Sequence, residues 1–213
     1  MQRIAVIDYG MGNLRSVAKA LEHVAPDAEV VVSDDASLIA ASDRILCPGQ
    51  GAARDCMAAL RRTGLDRVVV ETLHTRPFLG ICMGLQVLLG HSDENGGVDC
   101  LGVVPGNVRR FDAPLISADG ERLKVPHMGW SEVARTLDHP LWAGIDDGAR
   151  FYFAHSHHCV PDDPATVAGR CVHGTEFAAA VAAPGFFACQ FHPEKSARDG
   201  LKLLENFVRW DGR

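Results

Sequence analysis

One cysteine in this chain has neighbours that suit it to covalent chemistry. Cys82 stands in Gly80-Ile81-Cys82-Met83-Gly84-Leu85-Gln86, directly after the apolar run Phe78 to Ile81. A strand ending at Ile81 and a helix starting after Cys82 would hold the thiol on a sharp turn, exposed above a sheet edge. Gly80 and Gly84 remove side chains where the strand and helix backbones would crowd. A helix start favours a thiolate. The free N–H of Met83 points to where an oxyanion would form. Such a turn is built for attack on a carbonyl carbon. A cysteine in a Gly-containing turn is equally compatible with plain core, because free cysteine is among the most buried residue types. The four fixed residues of G-x-C-x-G-x-Q, however, arise by chance in roughly one chain of this length per thousand.

A thiol nucleophile needs a base. Phe191-His192-Pro193-Glu194-Lys195 follows the apolar run Gly185 to Gln190. Proline biases His192 towards an extended backbone. Residues two apart in an extended chain point the same way, so His192 and Glu194 are expected to share a side. The carboxylate would then orient the imidazole and stabilise its cation. Alone, the segment also reads as a surface turn. A third element is the loop Pro48-Gly49-Gln50-Gly51-Ala52. Its glycines allow a backbone to approach a substrate, and it offers a second N–H to an oxyanion. Many strand-to-helix loops share this look.

These groups need a scaffold. Arg3 to Ile7, Glu29 to Val32, Arg44 to Cys47 and Phe78 to Ile81 read as strands. Between them lie helical patterns: Leu14, Val17, Ala18 and Leu21, then Cys56 to Arg61, Leu65 to Leu73, and Leu85 to Leu89 after the last strand. The alternation predicts an α/β fold: a doubly wound, mostly parallel central sheet flanked by helices. In such a sheet the 48–52 loop lies at the carboxyl edge, where ligands bind. The C-terminal half differs. Val103 to Phe111, Leu123 to Val125, Glu132 to Ala134, Arg150 to Phe153, Thr166 to Cys171, Ala178 to Ala182 and Phe186 to Phe191 are strand-like runs that add antiparallel strands. Only Ala197 to Trp210 is clearly helical again.

The chain has 213 residues, with 21 Lys plus Arg against 27 Asp plus Glu and a net charge of −6. That balance argues against nucleic acid or anionic lipid as the main partner. The seven cysteines include no C-x-x-C pair, which fits free thiols in a reducing cytoplasm better than a disulfide framework. The apolar run before Asp8 is too short for a signal peptide or a membrane span. Cys47 and Cys189 read as core; Cys56 and Cys100 are left open between core and surface. His155, His157 and Cys159 would share one strand face by period two, but a metal site needs three or four convergent ligands and no second cluster is evident. No metal and no cofactor are expected.

Taken together, G-x-C-x-G-x-Q, the upstream P-G-x-G loop and the late H-x-E resemble the class I glutamine amidotransferases. Ile7 to Leu14, Pro126-His127-Met128-Gly129-Trp130, Tyr152-Phe153-Ala154-His155-Ser156 and His192-Pro193-Glu194-Lys195-Ser196 narrow the likeness to the glutaminase subunits of imidazole glycerol phosphate synthases. Order and spacing match across nearly the whole length, implying one amidotransferase domain over 1–213. The resemblance implies a Cys82, His192, Glu194 triad and an oxyanion site at Met83, Gln50 and Gly51. It also implies a glutamine pocket with Gln86, Ser156 and His157.

The chain shows no P-loop and no dinucleotide signature, so the ammonia should pass to a partner. The resemblance implies a heterodimer with a (β/α)8-barrel cyclase subunit, facing it through Asn13, Arg15, Trp130 and Lys195. As alternatives, Arg15 and Lys195 are ordinary solvated charges and Trp130 is core. A different synthase partner, or a non-catalytic regulatory subunit of the same fold, are the competing readings. Three positions depart from the family pattern: Gln50 where an aliphatic residue is usual, Ser131 where Asn is expected, and His157 in place of an aromatic Tyr.

Overall fold

A computed structural model describes residues 1–112, 114–117 and 119–213. The elements run β1 (Arg3–Ile7), α1 (Leu14–Val24), β2 (Glu29–Ser33), α2 (Ala36–Ala40), β3 (Arg44–Cys47), α3 (Ala53–Thr63), α4 (Leu65–Thr72), β4 (Phe78–Ile81) and α5 (Met83–Gln86). Next come β5 (His91–Ser92), β6 (Val98–Asp99), β7 (Gly106–Arg110), β8 (Leu115–Ile116), β9 (Arg122–Leu123), β10 (His127–Glu132) and β11 (Ala134–Arg135). The chain closes with β12 (Arg150–His155), β13 (His157–Pro161), β14 (Val167–His173), β15 (Thr175–Ala183), β16 (Phe186–Cys189) and α6 (Ala197–Arg209). Among the described residues no helix is long and apolar enough to cross a membrane.

The central sheet has the order β2-β1-β3-β4-β16-β15-β13-β7-β5-β6. Its first five strands are parallel. From β16 onward the main-path pairings turn antiparallel, apart from parallel β5–β7. This is the α/β arrangement expected, with the antiparallel extension on the C-terminal side. Both faces are covered, and strand alternation shows how. Ile4 and Val6 point into a core shared with Val17 and Leu21 of α1 and Leu203, Leu204 and Phe207 of α6. Ala5 and Ile7 point the other way, onto Cys56, Met57 and Leu60 of α3 and Val69 of α4.

Several elements depart from the sequence reading. The helix expected over Leu85 to Leu89 is assigned only over Met83–Gln86. Beyond it, Leu88 and Leu89 keep tight i−3 bonds to Leu85 and Gln86, and the chain then turns into β5. His155, His157 and Cys159 do not lie on one strand. The chain breaks at Ser156, between β12 and β13, and the two strands join different sheets. Cys56, left open from sequence, is fully buried, whereas Cys100 is half-buried. The five-residue α2 lay in a stretch with no helical period; Asp35 caps it by accepting from the N–H groups of Ser37 and Leu38.

Candidate active site

The turn at Cys82 is as sharp as its glycines suggest. Cys82 has φ 56° and ψ −106°, a strained conformation for a residue with a side chain. The surroundings make that strain unavoidable. A Cβ on Gly80 would lie 2.6 Å from the Gly84 carbonyl oxygen, and one on Gly84 would run into the carbonyl of Cys47. The strand, turn and helix start therefore close only around glycines.

Strand pairing brings the distant half of the site to this turn. β16 lies parallel to β4 with Cys189 opposite Ile81. The Cys82 N–H donates to the Cys189 carbonyl at 2.8 Å. The residues just beyond β16 thus leave the sheet at the same edge as Cys82. His192 is held there by its own N–H, which donates to the Tyr152 carbonyl of β12 at 2.9 Å. Its Nδ1 lies 2.9 Å from Glu194 Oε1.

His192 and Glu194 meet, but not by strand alternation. His192 is extended, whereas Pro193–Lys195 form a 3₁₀ turn. The turn curls the carboxylate back under the imidazole. Ser196 locks it, its Oγ donating to the His192 carbonyl at 2.6 Å and accepting the Tyr152 N–H at 3.0 Å. Burial by itself would lower the His192 imidazole; hydrogen bonds with Cys82 and with Glu194 outweigh burial and raise it to about 9. The His192 ring is thus held between the Cys82 sulfur and the Glu194 carboxyl, which favour its protonated form. Since α5 is a single turn, its dipole adds little; the sulfur's partners are His192 and the Nε2 of Gln190, 3.7 Å away.

A cleft of about 300 Å³ opens over the thiol, lined by Gln50, Gly51, Met83, Gln86, Ser156 and His157 among others. Every oxyanion and pocket residue expected from sequence therefore lies on it. Met83 is the first residue of α5, so its N–H has no intrahelical acceptor. Gly51 has φ +98°, a left-handed turn suited to glycine. The peptide of Gln50 is held from behind, because its carbonyl accepts from Cys56 Sγ at 3.5 Å and that sulfur accepts from Tyr9 Oη at 3.8 Å. The Gln86 Nε2 is spent inside the protein, on the His157 carbonyl at 3.1 Å and Gln190 Oε1 at 3.0 Å. These two bonds use the Gln86 nitrogen and leave its carbonyl oxygen unspent.

Two site residues, Glu94 and Gln190, escaped the sequence reading, and His155 entered it only within a motif and as a metal-ligand candidate. Glu94 lines the cleft; one oxygen caps α3 by accepting the Ala53 N–H at 2.7 Å, and the other lies 3.7 Å from His157 Nδ1. It follows β5 in a short loop and carries no motif. His155 is buried on the cleft wall, with Nδ1 2.8 Å from the His157 carbonyl and Nε2 3.1 Å from His127 Nδ1. Burial lowers His155 to about 3 and His127 to about 4, so both rings are neutral. Gln190 could have been noticed as the polar end of an otherwise apolar strand.

None of the four expected partner-facing residues lines the cleft itself. Asn13 precedes α1 and Arg15 is exposed on its first turn. Helix α1 packs against the 193–195 turn, which brings Lys195 to the same side. The Lys195 Nζ sits 6.0 Å from the Tyr152 ring centroid, and Tyr152 meets the half-exposed Trp130 edge-on at 6.2 Å. Trp130 is thus surface rather than core. The remaining thiols are quiet: burial pushes Cys47 and Cys171 up to about 12, and Cys56 and Cys100 up to about 11. Among the described residues no three His, Cys, Asp or Glu side chains converge to hold a metal.

The family model "Glutamine amidotransferase class-I" matches residues 5–210. The chain is 59% identical to imidazole glycerol phosphate synthase subunit HisH of Pseudomonas putida, over all of both chains. It is 58% identical to subunit HisH 1 of Pseudomonas aeruginosa, over 100% of this chain and 99% of the relative. In fold it is similar to the solved structure of PurLQS from Thermotoga maritima, with a TM-score of 0.72 at 21% identity, covering 98% of each chain. A strained cysteine elbow facing a buried His–Glu pair, on a scaffold matched from end to end, places the chain in the class-I glutamine amidotransferase family, among the HisH subunits of imidazole glycerol phosphate synthase.

Proposed function

We propose that the chain is the glutaminase half of an imidazole glycerol phosphate synthase. It hydrolyses glutamine to glutamate and ammonia through a Cys82 thioester and passes the ammonia to a cyclase subunit. The observation that carries this reading is the buried line Cys82–His192–Glu194 opening on the cleft.

The Cys82 thiolate attacks the side-chain carboxamide carbon of glutamine. The oxygen takes up negative charge beside the N–H of Met83 and the Gln50–Gly51 loop; one such donor typically contributes about 100- to 1,000-fold in rate. His192 gives its proton to the departing nitrogen, the C–N bond breaks, ammonia leaves and a glutamyl thioester remains. His192, now neutral, takes a proton from water, which attacks the thioester. Glutamate leaves and the thiolate returns. Glu194 holds the imidazole in one tautomer throughout.

Glu94 is the one carboxylate among the described residues lining the cleft. It complements the α-ammonium group of an amino-acid substrate and favours glutamine over a simple amide. The ammonia acceptor is a phosphoribulosyl formimino aminoimidazole carboxamide ribonucleotide bound to a (β/α)8-barrel cyclase. The pair forms a cytoplasmic heterodimer that makes imidazole glycerol phosphate and aminoimidazole carboxamide ribonucleotide in histidine biosynthesis. Asn13, Arg15, Trp130 and Lys195 face the cyclase. The test is glutamate release by the chain alone, with the cyclase, and with the cyclase and its ligand. Little activity alone and strong activation by the liganded cyclase support the reading. Full-rate hydrolysis indifferent to the cyclase would sink the coupled-subunit reading, and glutamate release by Cys82→Ala would sink the nucleophile.

A further inference from the structure

The mechanism above leaves one buried amide beside the sulfur without a role. Gln190 follows β16 and is fully buried. Its Nε2 donates to Cys82 Sγ at 3.7 Å, and its Oε1 accepts from Gln86 Nε2 at 3.0 Å.

Chemistry fixes which way this amide faces. The His157 carbonyl can only accept, so Gln86 must present its nitrogen there. The second hydrogen on that nitrogen then faces Gln190, which must answer with its oxygen. A flipped Gln190 would set two donors face to face. The Gln190 nitrogen is therefore committed to the sulfur. Backbone geometry commits the pair as well: the Gln190 N–H donates to the Ala179 carbonyl at 2.8 Å, on the antiparallel neighbour of β16, while the Cys82 N–H donates to Cys189. Two adjacent parallel strands thus end with the thiol and the amide side by side.

We propose that Gln190 serves the reaction directly, holding the Cys82 sulfur as a thiolate aimed at the cleft. The proposal rests on the reading of Cys82 as nucleophile. A sulfur anion lying between an imidazolium and a neutral amide N–H gains a second donor at no cost in competing charge. Hydrogen bonds to charged groups are stronger than neutral ones, so removing this donor lowers the thiolate-to-thiol ratio about ten- to a hundredfold. The thiolate that remains is more nucleophilic, with a Brønsted slope of about 0.4–0.5. The net expectation is that Cys82 reacts with an electrophile about 3- to 10-fold more slowly.

The experiment alkylates the full chain with chloroacetamide at pH 7 and follows adducts on Cys82 and on half-buried Cys100 by peptide mass spectrometry. Parent, Gln190→Met and Gln190→Glu are compared, each with a thermal melt. The methionine keeps length and volume without a donor. It is expected to slow Cys82 about 3- to 10-fold and leave Cys100 unchanged; the glutamate, placing a like charge at the sulfur, slows Cys82 further. A merely structural role would loosen the fold and speed Cys100. If folded Gln190→Met reacts at Cys82 within twofold of the parent, the role of Gln190 is overturned and the nucleophile stands. If the parent itself alkylates Cys82 no faster than Cys100, the nucleophile reading fails and this proposal with it. If Gln190→Met does not fold, Gln190→Glu carries the same comparison.

Discussion

The Nδ1 of His192 lies 2.9 Å from Oε1 of Glu194, between side chains only 3% and 1% exposed. The carboxylate's other oxygen, Oε2, is buried without a hydrogen-bond partner among the described residues. Glu194 has thus left water for a single partner, and an anion so placed strongly favours the imidazolium. Replacing Glu194 by Gln keeps the shape and removes the charge. We expect kcat for glutamine hydrolysis in the activated complex to fall by at least about 100-fold, the lower range for general acid–base catalysis. The thermal midpoint should fall as well, because the buried imidazole loses its charged partner and an unpaired amide atom takes the place of Oε2. Steady-state kinetics with a melt decide it; a kcat within threefold of the parent would dismiss the role given to Glu194.

Stability should peak near pH 6.5, for reasons that differ on the two sides. His155 and His127 are pushed down by burial to about 3 and about 4, and His139 likewise to about 4. Below their ordinary value near 6.5 the unfolded chain binds the extra protons, so stability is lost as pH falls towards 4. His192 has the opposite sign. Raised to about 9, it contributes fully below 6.5 and loses that contribution as pH rises through about 9. Urea unfolding at a series of pH values measures the curve. In Cys82→Ala the alkaline limb should flatten while the acid limb stays. A parent curve that rises steadily from pH 6.5 to 9 would contradict this account.

The elbow glycines and the loop glycines should behave differently. Gly84→Ala drives a methyl group into the Cys47 carbonyl. It should cost at least the upper end of the roughly 1–3 kcal/mol typical of overpacking and abolish activity, since the backbone must move at Cys82. Gly148 has φ +77° and nothing within 4 Å of a Cβ. Gly148→Ala should cost only the left-handed penalty of about 1–2 kcal/mol and leave kcat alone. Equal losses of activity in the two variants would mean that the elbow has no special geometry to lose.

Glu94→Gln tests the substrate's α-ammonium contact. Glutamine still accepts the Ala53 N–H that Glu94 accepts at 2.7 Å, so α3 keeps its cap. The lost charge should raise KM for glutamine about 10- to 100-fold, the range for a hydrogen bond between charged groups, with a smaller effect on kcat. A KM within twofold of the parent would assign Glu94 to capping alone.

Much of the scaffold was legible in local pattern. The strands Arg3–Ile7, Arg44–Cys47 and Phe78–Ile81 lie where the apolar runs lie. Helix α1 follows its Leu14, Val17, Ala18, Leu21 period, because one face of it must cover the sheet. Less was legible where short strands meet by pairing. The two-residue strands β5, β6 and β8 carry too few residues to show a period, and β13 hides behind the break at Ser156.

The sequence by itself determined what is local: a cysteine between two glycines after an apolar strand, a Gly-rich loop after another, and a His and a Glu two residues apart. Their types and spacing already pointed to a thiol nucleophile with an imidazole base, and the crowding of Gly80 against Gly84 acts within a few residues. The tertiary structure alone decided how these parts meet. The register of β16 on β4 carries His192 across the chain to Cys82, and a 3₁₀ turn, not strand alternation, folds Glu194 beneath it. The same register sets Gln190 against the sulfur, and a motifless loop delivers Glu94 to the cleft. These are long-range contacts. They depend on which strands pair and on which faces must be buried, and no window of neighbouring residues records that.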